Sequence, residues 1–122
     1  PIPHVESVSA VIKKDGKVLL NQRPPSGLLG GLCEFPNWPI ESKKDLKEYL
    51  RQMVKRQIGL NVKCKELLGS FKQTYSHFKL TLHVYHCQVV DGIGNAKWIP
   101  IKKLKLFPMS KIARRISKKL LH

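Results

Sequence analysis

An α+β domain, a mixed or antiparallel sheet with flanking helices, is what this sequence predicts. Three observations carry the prediction. Apolar residues recur with a period of two in several short runs, and with helical spacing in two others. The order along the chain is β-β-loop-α-β-β-α. The 122 residues suffice for one core, so a single domain spanning 1-122 is expected.

The first element is a hairpin. Val8 to Ile12 and Val18 to Asn21 flank Lys13-Lys14-Asp15-Gly16, and Asp-Gly between apolar runs suits a turn in which both central residues need positive φ. Arg23 to Gly31 follows, where two prolines and three glycines exclude a regular element. A short apolar stretch then leads to Phe35-Pro36. Ser42, with Asp45 three positions on, reads as a capping-box start. Leu46, Leu50, Met53 and Val54 keep helical spacing until Gly59, which closes a helix over about 43 to 58. Its opposite face carries Lys43, Lys44, Lys47, Arg51 and Lys55, a pattern that the solvated side of an amphipathic helix explains.

Val62 to Phe71 reads as a strand. From Phe78 onward, Phe78, Leu80, Leu82 and Val84 alternate with polar neighbours, which predicts a half-buried strand of about ten residues. Lys72 to Ser76 is then the turn of a second antiparallel hairpin. Ile112, Ile116 and Leu120 mark a terminal helix with Ser110 near its cap, and Lys118 and Lys119 suit the negative end of its dipole.

Charge is the most unusual property. Lys and Arg number 23 against 8 Asp and Glu, a net charge of +15, while a 42% hydrophobic share supports an ordinary core. The excess therefore lies on the surface and implies a polyanionic partner, with nucleic acid ahead of acidic membrane or acidic protein. After Asp91 there are nine basic residues and no acidic one. That tail is either a contact face or a solvated helix.

Cys33, Cys64 and Cys87 are odd in number and far apart, so neither a disulfide framework nor a metal knuckle is argued. Reduced intracellular thiols are the simple reading. No apolar run approaches the ~20 residues that span a bilayer, and Pro1-Ile2-Pro3-His4 does not begin a secretory signal. A protein that is cytoplasmic or otherwise intracellular, with no membrane partner, is expected. The Pro-x-Pro opening, without Met, would suit a linker from another domain. His83 and His86 fall on opposite faces of a strand, and His4 and His122 do not combine with the cysteines in a ligand spacing, so no metal site is expected.

The run Gln22 to Pro36, Q-R-P-P-S-G-L-L-G-G-L-C-E-F-P, followed by a helix ending Ile58-Gly59-Leu60, resembles the C-terminal, Nudix-like (MutT-like) domain of MutY-type adenine DNA glycosylases. The string is long and specific, and the resemblance covers essentially the whole chain. Thr74-Tyr75-Ser76-His77-Phe78 is similar to that family's F-S-H loop, with Tyr75 in place of Phe. The resemblance implies that this loop enters duplex DNA beside 8-oxoguanine paired with adenine, so Tyr75, Ser76 and His77 are the expected nucleic-acid-binding residues. It also implies an N-terminal catalytic domain, absent from this chain, that removes adenine in base excision repair. The expected partners are that domain and double-stranded DNA containing 8-oxoguanine opposite adenine. No cofactor is expected in this domain, the family's [4Fe-4S] cluster lying in the catalytic one. This domain alone is expected to have no catalytic residues and no adenine-excising activity.

Two other functions fit the same fold. A Nudix pyrophosphatase needs the box G-x5-E-x7-R-E-U-x-E-E-x-G-U, whose carboxylates hold Mg²⁺. With its last two positions on Gly59-Leu60, the paired glutamates fall on Arg56 and Gln57, the preceding glutamate on Met53 and the arginine on Gln52. All four are replaced, and a guanidinium repels the cation that a carboxylate would bind. Glu41, Asp45 and Glu48 lie near but off the box positions. The glycine-rich loop lacks both the Gly-Lys-Ser/Thr of a phosphate-binding loop and the spacing of a dinucleotide fingerprint. A protein-interaction module on the same fold is the third class.

Overall fold

The computed structural model describes residues 2–26, 30–41, 45–92 and 97–121. Two strands open the chain, β1 (His4–Lys14) and β2 (Lys17–Gln22), joined as expected through Asp15 (φ 51°) and Gly16 (φ 73°). Two short strands missing from the expectation follow, β3 (Cys33–Glu34) and β4 (Asn37–Pro39). Helix α1 covers Leu46–Ile58, and Gly59, at φ 82°, caps it with its N–H on the carbonyls of Val54 and Lys55. The long hairpin is β5 (Asn61–Thr74) and β6 (Lys79–Asp91). Then come β7 (Lys97–Pro100), a 3-10 helix (Ile101–Leu106) and α2 (Lys111–Leu120), the first two also missing from the expectation.

The start of α1 differs from the sequence reading. Its N-cap is Asp45, whose carboxylate accepts from the Glu48 backbone N–H at 3.1 Å. The acceptor expected from Ser42 is supplied one turn later. Ser42, Lys43 and Lys44 lie outside the described residues, as do Gly27 to Leu29 of the glycine-rich run and His122.

The sheet runs β3-β2-β1-β6-β5, with β4 on β1 and β7 on β2. β1 and β6 pair in parallel over ten positions, from His4↔Lys79 to Lys13↔Gln88, while β5 and β6 are antiparallel. The sheet is thus mixed. β6 lies between β1 and β5, so both its edges are paired, and it contributes buried residues to the cores on both faces of the sheet rather than to one. Leu82 and Val84 join the core that holds α2 through Ile112 and Ile116, and Cys87 joins the core that holds α1 through Leu50 and Val54. Alternation along β1 divides in the same way, Val8, Ala10 and Ile12 facing α1 and Val11 facing α2. The result is a sheet between two helices.

The second hairpin turns later than its sequence suggests. The ladder continues through Lys72↔Thr81 and Gln73↔Leu80 to Thr74↔Lys79, so the turn comprises Tyr75 to Phe78 rather than Lys72 to Ser76. Cross-strand hydrogen bonding extends into the polar residues that local sequence assigns to a turn.

Candidate nucleic-acid interface

Four residues shape the hairpin tip. The Tyr75 backbone N–H donates to the Phe78 carbonyl at 2.8 Å, closing the turn. The Tyr75 and Phe78 rings stack with centroids 4.8 Å apart and planes 26° apart. That stack occupies the base of the turn, and Ser76 and His77, both exposed, form its outer edge. Behind the tip lies a cavity of about 340 Å³, whose walls include Arg23, Glu34, Asn37, Tyr75 and Phe78. Arg23 and Glu34 are paired there at 3.1 Å. The Tyr75 hydroxyl is buried and makes no hydrogen bond. Burial, and then the nearby Glu34 carboxylate, hold this phenol above its ordinary range, with Arg23 acting against them.

The basic tail meets this tip. Ser110 caps α2, accepting from the Ala113 N–H at 3.2 Å, and α2 buries Ile112, Ala113 and Ile116. Its opposite side is basic. Arg115 donates to the Lys72 carbonyl and stands over the Phe71 ring at 5.7 Å, as does the Lys119 ammonium. Lys111 and Ser76 line one groove of about 430 Å³ with Thr74, Tyr75 and Ser110. Sequence reasoning named the tip but left the tail's role open. Packing of α2 on β5 brings Lys111 beside the tip and sets Arg115 and Lys119 along β5 at Lys72 and Phe71. The one-sided charge after Asp91 was the available signal.

The charge on α1 is organised differently. Glu48 accepts from Arg51 at 2.9 and 2.5 Å and from Gln52 at 3.3 Å, and its carboxyl lies below the usual range because Arg51 hydrogen-bonds it. Lys55 donates to the Asn61 side chain at 2.9 Å. This face is solvated and locally paired, as the sequence suggested.

A divalent cation, which the Nudix fold calls for, finds poor ligands on α1. Arg56 and Gln57 project as exposed residues at the box positions, and Glu48 is engaged by Arg51. Among the described residues no three His, Cys, Asp or Glu side chains converge on one point. His83 bonds Ser70 through Nδ1 at 2.8 Å and Glu6 through Nε2 at 3.2 Å, whereas His86 lines a separate groove with Lys13 and Lys65. Cys64 and Cys87, distant in sequence, face each other with their sulfurs 3.4 Å apart. No helix among the described residues is long and apolar enough to cross a membrane.

This arrangement of strands and helices, with its glycine-rich run and its helix ending Ile58-Gly59-Leu60, is that of a Nudix domain. The chain matches the NUDIX domain family over residues 7–119 and belongs to it. Its resemblance to the C-terminal domain of adenine DNA glycosylases is borne out as well. The chain is 40% identical over 85 residues to human adenine DNA glycosylase, a match covering 65% of this chain and 16% of that protein. The C-terminal domain of mouse MUTYH, solved in complex with human PCNA, superposes with a TM-score of 0.73 at 28% identity, covering 96% of this chain and 87% of that one. The chain is also 30% identical over 88 residues to the CTP pyrophosphohydrolase of Escherichia coli, covering 72% of this chain and 65% of that protein.

Proposed function

We propose that this domain reads 8-oxoguanine opposite adenine in duplex DNA, as the lesion-recognition part of an adenine DNA glycosylase. The observation that carries the reading is the tip itself. Ser76 and His77 are exposed on a turn held by the Tyr75–Phe78 stack, with the basic side of α2 beside it. Oxidation at C8 turns guanine N7 from an acceptor into an N–H donor and adds an O8 acceptor. A serine hydroxyl both donates and accepts, so it can bond that new edge, while unmodified guanine offers no N7–H. His77 donates to a phosphate or base. Lys111, Arg115 and Lys119 contact phosphates without reading sequence.

The division of labour follows from the resemblance. Adenine removal requires extrusion of the base and hydrolysis of its glycosidic bond, and belongs to the separate N-terminal domain. By the same resemblance the [4Fe-4S] cluster belongs to that domain too. The domain alone excises nothing, and the protein acts inside the cell, where its DNA lies.

Replacing Ser76 in the glycosylase tests the reading. Ser76→Ala should lower the preference for 8-oxoguanine:A over G:A by about one hydrogen bond, ~0.5–1.5 kcal/mol. An unchanged preference in single-turnover assays refutes the role.

A pyrophosphohydrolase is the second reading, favoured by the likeness to the Escherichia coli enzyme and by the cavity behind the tip. It predicts Mg²⁺-dependent hydrolysis of 8-oxo-dGTP or another nucleoside diphosphate derivative. Arg56 and Gln57 at the cation positions weigh against it, and turnover by the isolated domain would overturn the first reading. A protein-interaction module on the same fold, the third class, predicts no lesion dependence at all.

A further inference from the structure

We propose that Cys64 and Cys87 are a peroxide-oxidised dithiol, forming a reversible disulfide across the base of the β5–β6 hairpin. The two are direct Cα partners on antiparallel strands, so their side chains share a face of the sheet. The Cys87 thiol donates to the Cys64 sulfur at 3.4 Å. A disulfide requires about 2.05 Å between sulfurs, and the register shift between Cys64 and Leu67 supplies local backbone latitude for that approach.

The two thiols divide the chemistry. Cys87 is 3% exposed, within the core beneath α1. Cys64 is half-buried and borders a groove of about 460 Å³ whose walls include Lys47, Glu48 and Arg51, so a small oxidant reaches it first. The hydrogen bond from Cys87 holds the Cys64 thiol below its ordinary range, aided by Lys47 and Arg51 and opposed by burial and by Glu48. Cys87 is displaced upward by the same pairing and by burial. Cys64, the more accessible of the two and the one that ionises more readily, is therefore the nucleophile, and Cys87 the resolving thiol.

The oxidant is a hydroperoxide. The Cys64 thiolate attacks its terminal oxygen, the O–O bond breaks, and the departing alkoxide or hydroxide takes a proton, leaving a sulfenic acid on Cys64. The Cys87 sulfur then attacks the Cys64 sulfur. The S–O bond breaks, and hydroxide leaves as water with the Cys87 proton. Two thiols have lost two electrons and two protons to the peroxide. Cys33, buried in the other core, has no thiol beside it and stays reduced.

The test treats the folded chain with hydrogen peroxide, then denatures it and alkylates free thiols. The expected result is one alkylated cysteine, Cys33, in place of three, with unalkylated protein lighter by two hydrogens. A peptide joining residues 64 and 87 should appear, and dithiothreitol should restore all three labels. In Cys87→Ser, Cys64 should be trapped as a sulfenic acid by dimedone, with no internal crosslink. Three alkylated cysteines after treatment, or a crosslink only between two chains, overturns the proposal from the natural protein alone.

Discussion

Tyr75→Phe removes one oxygen from the tip and should make the domain more stable. The Tyr75 hydroxyl is buried and makes no hydrogen bond. Leaving such a group unsatisfied costs ~1–3 kcal/mol. The adjoining 340 Å³ cavity has room for water, which offsets part of that cost and puts the expected gain at its lower end, ~1 kcal/mol. The stack with Phe78 at 4.8 Å involves only the ring and is kept. For a domain of this size ~1 kcal/mol corresponds to a rise in Tm of roughly 3–6 °C. The assay is urea and thermal unfolding of both proteins, at neutral pH and above pH 10. Burial raises the Tyr75 phenol, so the folded state binds its proton more tightly than the unfolded chain does. The stability from holding that proton is fully present below the unfolded value of about 10 and is lost as pH rises through the folded one. The advantage of Phe should therefore widen in alkali, where other groups titrate alike in both proteins. Equal stability, or a loss of ~1 kcal/mol or more at neutral pH, would refute the claim that the hydroxyl is unsatisfied.

Leu50→Ala, at a fully buried position where α1 meets the sheet, should cost ~2–5 kcal/mol in urea unfolding. Ser110→Ala removes the acceptor for the Ala113 N–H and should cost ~1 kcal/mol, seen as a lower Tm. Arg115→Gln should weaken duplex binding by the domain whatever the sequence, and flatten the plot of log affinity against log salt by about 0.9, the share of one phosphate contact. An unchanged slope removes Arg115 from the DNA surface.

Elements whose signal is local were legible in the sequence. Asp15-Gly16 marked the first turn because both residues need positive φ, and Leu50, Val54 and Gly59 marked a helix by its spacing and stop. Short strands carry too few residues for periodicity, and β3, β4 and β7 went unseen, each existing through its partner. The tip residues Tyr75, Ser76 and His77 were named through a resemblance, since a polar tripeptide has no signature of its own. Their setting was not legible. The Tyr75–Phe78 stack needs a ladder that runs on to Thr74↔Lys79, and the basic residues beside it come from a helix more than thirty residues further on.

By itself the sequence determined the α+β class, the two helices, the first hairpin, the replaced carboxylates at Arg56 and Gln57, and a surplus of positive charge. These are properties of short windows or of plain sums. The tertiary structure decided that the basic side of α2 lies against β5, and that β1 and β6 run parallel in mid-sheet. It also brought Cys64 against Cys87. Each of these depends on contacts between distant segments, formed when the two apolar faces of the sheet are covered by different helices. Burial on both faces sets the pairing, and the pairing sets what stands beside the tip.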